Sequence, residues 1–213
     1  MSTINKIFSI KQIYQSGRSM VEMIGVLAIV GVLSVGGIAG YVKASHQIRT
    51  NKIKDDISHL IANIRTVFYT QNNYKNLNET TVINSGIAPD YMISSDRTKL
   101  INRSKGSILV KSAKTEEDDE GAFIIIFNGF DALTCREIAS ENWDSDIQTG
   151  FIGMTIKNNG DLTIESSGLV EAKFDTTETT FNSIDLPQSL ITQSYSSCDC
   201  GHQDLCSIAW KFI

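Results

Sequence analysis

The residues with the most reactive chemistry crowd the end of the chain. Cys198, Cys200, His202 and Cys206 put four soft ligands within nine residues, and the only other cysteine, Cys135, lies well upstream. Zinc takes Cys/His sets of this kind, but the Cys-x-Cys spacing departs from the usual C-x2-4-C loop and would leave Cys135 over. Four cysteines are an even number, the signature of a disulfide framework in an exported domain, and they allow three complete pairings. Joining Cys198 to Cys200 across one residue would make a strained ring. His46 and His59 fall in a helix-like stretch, and neither belongs to a nucleophile, phosphate-loop or metalloprotease pattern. The acidic run Glu116-Glu117-Asp118-Asp119-Glu120 lacks the fixed spacing of an oxygen-ligand loop and reads as a hairpin tip. Neither catalysis nor a cofactor is expected.

Length and charge narrow the classes further. At 213 residues and 41% hydrophobic content the chain can bury one ordinary core with appendages. A formal net charge of -5 argues against a nucleic-acid partner, which would need a basic face.

The elements that would carry these residues begin with an anchor. No charged side chain occurs between Glu22 and Lys43, and that apolar run matches the ~20 residues needed to cross a bilayer as a helix. It is too long for a cleaved secretory signal and leads into more helix-like sequence rather than a small-residue cut site. Lys6, Lys11 and Arg18 precede it without an acid, but Lys43, Arg49, Lys52 and Lys54 follow it, so charge bias alone does not orient the span. Glu22 stands at its mouth, where a carboxylate is costly to sink and calls for a partner. Gly25, Gly31, Gly36, Gly37 and Gly40 weaken the helix while letting other backbones approach closely.

Gly17-Arg18-Ser19-Met20-Val21-Glu22 followed by the apolar run resembles the processing site of type IV prepilins, in which a glycine precedes the cut and a glutamate is the fifth residue after it. The resemblance implies cleavage between Gly17 and Arg18 by a prepilin peptidase. The long leader and the non-phenylalanine first residue resemble the type IVb branch, although Arg18 is charged where the family usually has an apolar residue. In that family the apolar helix stays on the mature protein. The glutamate neutralises the new amino terminus of a neighbouring subunit, the role implied for Glu22.

Beyond the span, Ile48, Ile53, Ile57, Leu60, Ile61, Ile64, Val67 and Phe68 recur mostly at steps of three and four, one apolar stripe of an amphipathic helix. Arg49, Lys52, Asp55, Asp56 and Arg65 fall largely off it. A continuous helix from about Ser19 to about Thr70 would be roughly 75 Å long, with Gln71-Asn72-Asn73 as its stop. Tyr74 to about Ser104 reads as a connecting loop. Strands are expected at Ser107–Lys111 and Ala122–Phe127, then a helix over Asp131–Trp143 with Leu133, Ile138 and Ala139 inward. Gly150–Ile156 and Asp161–Ile164 would form a hairpin through Asn159-Gly160, and Cys206–Ile213 a last strand. The expected fold is α+β, a long N-terminal helix packed on an antiparallel sheet as in type IV pilins. Its parts are a leader at 1–17, an assembly half of the helix at 18–42, an amphipathic half at 43–72, a loop at 73–105 and a sheet domain at 106–213.

Leu133-Thr134-Cys135 on a helix and Leu205-Cys206 before a terminal strand are also similar to type IVb pilins, which implies a Cys135–Cys206 bond. Such a bond closes a loop of about 70 residues, worth about 4 kcal/mol in the chain-entropy model. The alternative pairs Cys135 with Cys198 or Cys200, and Cys206 with the other.

The resemblance implies a subunit stored in a bacterial inner membrane with its domain in the periplasm. It would then be extracted into a surface pilus for adhesion, aggregation, conjugation or motility. The partners so implied are identical or related pilin subunits, the prepilin peptidase, an inner-membrane assembly platform and an ATPase. A minor pilin or type II secretion pseudopilin shares the processing motif, and a signal-anchored periplasmic binding protein or enzyme would need neither Gly17 nor Glu22.

Overall fold

The computed structural model describes residues 20–115, 117–141, 143, 150–158, 160–164, 180–182, 197–200 and 205–213. The chain divides into two compact units between His46 and Gln47.

Helix α1 runs over Met20–Phe68, close to the expected span. It meets no proline and carries Glu22 in its first turn and Arg65 in its last, charges that suit the helix dipole at each end. A 3-10 turn, Tyr69–Gln71, tightens its end, and Asn72 adopts the left-handed conformation at φ 57° that closes it. Asparagine tolerates this geometry better than most residues, which explains the stop at the Asn pair.

In the first unit the described part of α1 is exposed: Met20, Leu27, Val32, Val35 and Tyr41 all lie open. It is long and apolar enough to cross a membrane. In the second unit Ile53, Ile57, Leu60, Ile61, Ile64 and Phe68 are buried as the stripe requires, whereas Ile48 and Val67 are exposed.

The connecting segment holds a short helix, α2 (Glu79–Asn84), whose N-cap Asn78 accepts from the Thr81 amide. The sheet strands are β1 (Leu100–Ile101), β2 (Ser107–Ala113), β3 (Ala122–Phe130), β4 (Phe151–Lys157), β5 (Thr180–Asn182) and β6 (Cys206–Phe212). Their order is β1-β2-β3-β6-β4-β5, with antiparallel pairing throughout. Residues 117–120 of the acidic run lie in the β2–β3 tip, as its reading as a turn requires.

The two central strands are buried on both faces. Phe123, Ile125, Phe127, Ile208, Trp210 and Phe212 join the α1 stripe in one core, while Ala122, Ile124, Ile126 and Ala209 belong to a second. Burying each such Phe or Ile contributes about 1.5–3 kcal/mol. Hence Ile208, Trp210 and Phe212 alternate as expected, but Lys211 between them is also buried, 1% exposed.

Two expectations about elements fail. Helix α3 is Ala132–Ala139, N-capped by Asp131 through the Thr134 amide, and Leu133 points outward at 61% exposure. Cys135, Ile138 and Ala139 form its buried face, and Leu133 lies off that arc. The hairpin of 150–156 with 161–164 does not form either. β4 pairs with β6 and β5, and residues 160–164 contribute Leu162 and Ile164 to the second core instead. The buried Asn128 side chain accepts from the Leu162 amide at 3.0 Å and donates to its carbonyl at 3.2 Å. A side-chain amide thus satisfies backbone groups that a strand partner would otherwise have taken.

Candidate assembly helix, loop clamp and cysteine cluster

Gly17, Arg18 and His202 lie outside the described residues. Glu22 sits exposed in the first turn of α1. A Cβ built on Gly25, Gly31, Gly36, Gly37 or Gly40 meets nothing within 4 Å. Among the described residues no neighbour approaches these glycines. His59 is exposed on α1 and His46 half-buried.

Where α1 enters the folded domain, the structure assembles a charged cluster that the stripe pattern hid. Asp56 is only 3% exposed. Its carboxylate accepts from Arg103 Nε at 2.6 Å and Nη2 at 3.1 Å, and from the Tyr91 hydroxyl at 2.7 Å. The Arg103 guanidinium also lies 4.6 Å over the Tyr91 ring. Arg103 reaches α1 because the β1–β2 turn is held rigidly. Asn102 accepts from the Ser104 and Gly106 amides and donates to the Asn128 carbonyl at 2.7 Å. Gly106 is required there, since a Cβ would stand 1.7 Å from the Asn128 oxygen.

The Asp56 hydrogen bond, ahead of opposing burial, holds the Arg103 guanidinium above its ordinary range; burial and then Asp56 push the Tyr91 phenol up. The cluster ties the connecting segment to α1 at two points. Its sequence signal was a carboxylate three residues after Ile53 and four before Leu60, a stripe position that the apolar reading left outside. Asp56→Asn keeps the size but loses the bidentate ion pair, and is expected to cost about 2 kcal/mol, with Arg103 partly rehydrated. Tyr91→Phe is expected to cost about 1 kcal/mol. Thermal unfolding of the full chain in detergent measures both; equal stability of wild type and Asp56→Asn would mean the pair contributes nothing net.

The cysteines form two bonds, Cys135–Cys198 with Cα atoms 5.7 Å apart and Cys200–Cys206 at 5.5 Å. The favoured Cys135–Cys206 pairing is therefore not the one present, and the alternative is. Loop length could not separate the two, because Cys198 and Cys206 both lie far from Cys135 in sequence. What decides is which sulfur the folded segment around 197–200 lays against α3. The Sγ atoms of Cys135, Cys200 and Cys206 all lie within 4.8 Å of one another, so both bonds share one cluster. Cys135, Cys198 and Cys206 are fully buried and Cys200 is partly exposed. All four sulfurs are bonded to sulfur, so the ligands of the zinc reading are consumed.

A long helix, apolar and exposed at first and then packed on an antiparallel sheet stapled near its last strand, now stands beside known proteins. A family model described as Bundlin matches residues 43–185, more than half of the chain. The chain belongs to the Bundlin family. Among relatives of this Bundlin-family chain are two described as "Major structural subunit of bundle-forming pilus". That of Escherichia coli O111:H- is 21% identical over 156 residues, covering 73% of this chain and 79% of the relative. That of Escherichia coli O127:H6 is 22% identical over 156 residues, with the same shares. The solved structure of TcpA, a type IV pilin from Vibrio cholerae El Tor biotype, matches with a TM-score of 0.53 at 14% identity, covering 78% of this chain and 99% of that one. At that identity the match speaks for the fold, and the fold is that of a type IV pilin. The Bundlin-family chain is thus a type IV pilin-like protein, anchored by an apolar helix.

Proposed function

We propose that this protein is a structural subunit of a type IV pilus, stored in the inner membrane and built into an extracellular filament through residues 18–42. The observation that carries the reading is that the apolar half of α1 is exposed and its glycines face open space. A soluble domain would not present such a surface without a bilayer or other helices to cover it. In the membrane, lipid covers it; in a filament, the same helices from other subunits do. The five glycines would then admit close helix–helix approach between subunits.

In this reading a prepilin peptidase removes residues 1–17, and Glu22 pairs with the amino terminus so created on a neighbouring subunit. The domain lies on the periplasmic side, and an assembly platform and ATPase drive extraction. The descriptions of the two Escherichia coli relatives as major subunits of a bundle-forming pilus favour an abundant subunit used in adhesion or aggregation over a minor pilin or pseudopilin.

Processing is tested by co-expression with a prepilin peptidase. The wild-type chain is expected to yield a product beginning at Arg18, and Gly17→Ala to remain full length. A shortened Gly17→Ala product, or an amino terminus other than Arg18 by mass spectrometry, would refute the assignment.

A further inference from the structure

The four cysteines differ in burial, and the grouping of their sulfurs gives that difference a chemical consequence. Cys200 is the one partly exposed cysteine; Cys135, Cys198 and Cys206 are fully buried. Yet the Cys135 and Cys206 sulfurs, which belong to different bonds, lie within 4.8 Å of each other. Their backbones are held by regular elements, Cys135 in α3 and Cys206 at the start of β6, where it pairs with Phe130 of β3. Cys198 and Cys200 sit outside the sheet. We propose that Cys200 is the point of attack for an external dithiol, such as a dithiol–disulfide oxidoreductase, and that reduction there transfers inward to leave a Cys135–Cys206 bond with thiols at Cys198 and Cys200.

The steps balance. A thiolate of the dithiol attacks Cys200 Sγ, forming a mixed disulfide and breaking Cys200–Cys206, with Cys206 leaving as a thiolate. That thiolate is buried, where its charge is poorly solvated, and it faces the Cys135 sulfur at high effective concentration. It attacks Cys135 Sγ, the Cys135–Cys206 bond forms, and Cys198 leaves. The second thiol of the dithiol then resolves the mixed disulfide and releases Cys200. One dithiol is oxidised to a disulfide, one protein disulfide is lost, and the two protons of the dithiol end on Cys198 and Cys200. Cys135 of α3 keeps a long-range bond across the net change, its partner passing from Cys198 to Cys206 at the start of the last strand. The segment carrying Cys198 and Cys200 is what the exchange releases.

The inference does not depend on filament assembly, and its test does not either. The full chain, purified in detergent, is titrated with limiting dithiothreitol under native conditions, trapped with N-ethylmaleimide and mapped by mass spectrometry of non-reduced peptides. A two-thiol species labelled at Cys198 and Cys200, with Cys135 joined to Cys206, is expected. Label at Cys200 and Cys206 with Cys135–Cys198 intact overturns the proposal, as does passage to four labelled thiols with no two-thiol species. A Cys198→Ser chain supplies the second readout before any reductant is added. There the free Cys135 thiol is expected to have displaced Cys200, giving Cys135–Cys206 and label at Cys200. Label at Cys135 with Cys200–Cys206 unchanged overturns it.

Discussion

A Glu22→Val chain is expected to insert into the membrane as the wild type does and to form no filaments. Insertion should survive because the substitution lengthens an already sufficient apolar run, and because a first-turn acid stabilises its own helix by only about 0.3–1 kcal/mol. Assembly should fail for a different reason. If Glu22 neutralises the amino terminus of a neighbour inside a packed bundle, its removal leaves a desolvated cation unpaired, at a cost of about 3–5 kcal/mol per contact. That corresponds to a weakening of each subunit addition by roughly two to four orders of magnitude, repeated along the fibre. Immunoblots of the membrane fraction measure insertion, and electron microscopy of sheared cells measures filaments. Abundant filaments from Glu22→Val would sink the charge-pairing account.

The second large effect lies in the cysteine cluster. Cys135 and Cys198 are separated by 63 residues, and removing their bond in a Cys135→Ser/Cys198→Ser chain is expected to cost about 4 kcal/mol in the loop-entropy model. Cys200 and Cys206 are separated by 6 residues, and their double serine variant should cost about 2 kcal/mol by the same relation. Against a typical domain stability of about 5–15 kcal/mol, the first loss removes a large share of the margin. It should lower the Tm by roughly 10 °C or more, about twice the effect of the second. Thermal unfolding of the full chains under non-reducing conditions measures the order, and a larger effect from the Cys200/Cys206 pair would contradict the loop-length account.

Much of this molecule was legible before any coordinates. The uncharged stretch between Glu22 and Lys43 can only be an anchor or a packed helix, because no other run of that length and composition is stable in water. The stripe from Ile53 to Phe68 required a surface to bury against, and the β-rich segments 107–111, 122–127 and 206–213 supplied it. The proposed processing register, Gly17-Arg18 with Glu22, is read from a linear motif, and its test is the Gly17→Ala chain.

Local patterns failed where a side chain took over the work of backbone or of apolar contact. The turn-like Asn159-Gly160 pointed to a hairpin, but β6 returned from far along the chain to pair with β4, and Asn128 satisfied Leu162 in place of a strand. Asp56 falls off the apolar stripe, and helical spacing carries no information about Arg103 and Tyr91, which lie 47 and 35 residues away. Leu133 is hydrophobic yet points outward, because Cys135 and Ile138 set the buried face of α3.

The apolar anchor and the α+β class with its cysteine-bearing end were thus determined by the sequence, since each depends on composition or spacing within a short window. The identity of each cysteine's partner, the Asp56 clamp and the place of residues 160–164 were decided only by the tertiary structure. Those depend on which distant groups meet in space, and loop entropy, nearly flat with length at these separations, discriminates too weakly among them to be read in advance.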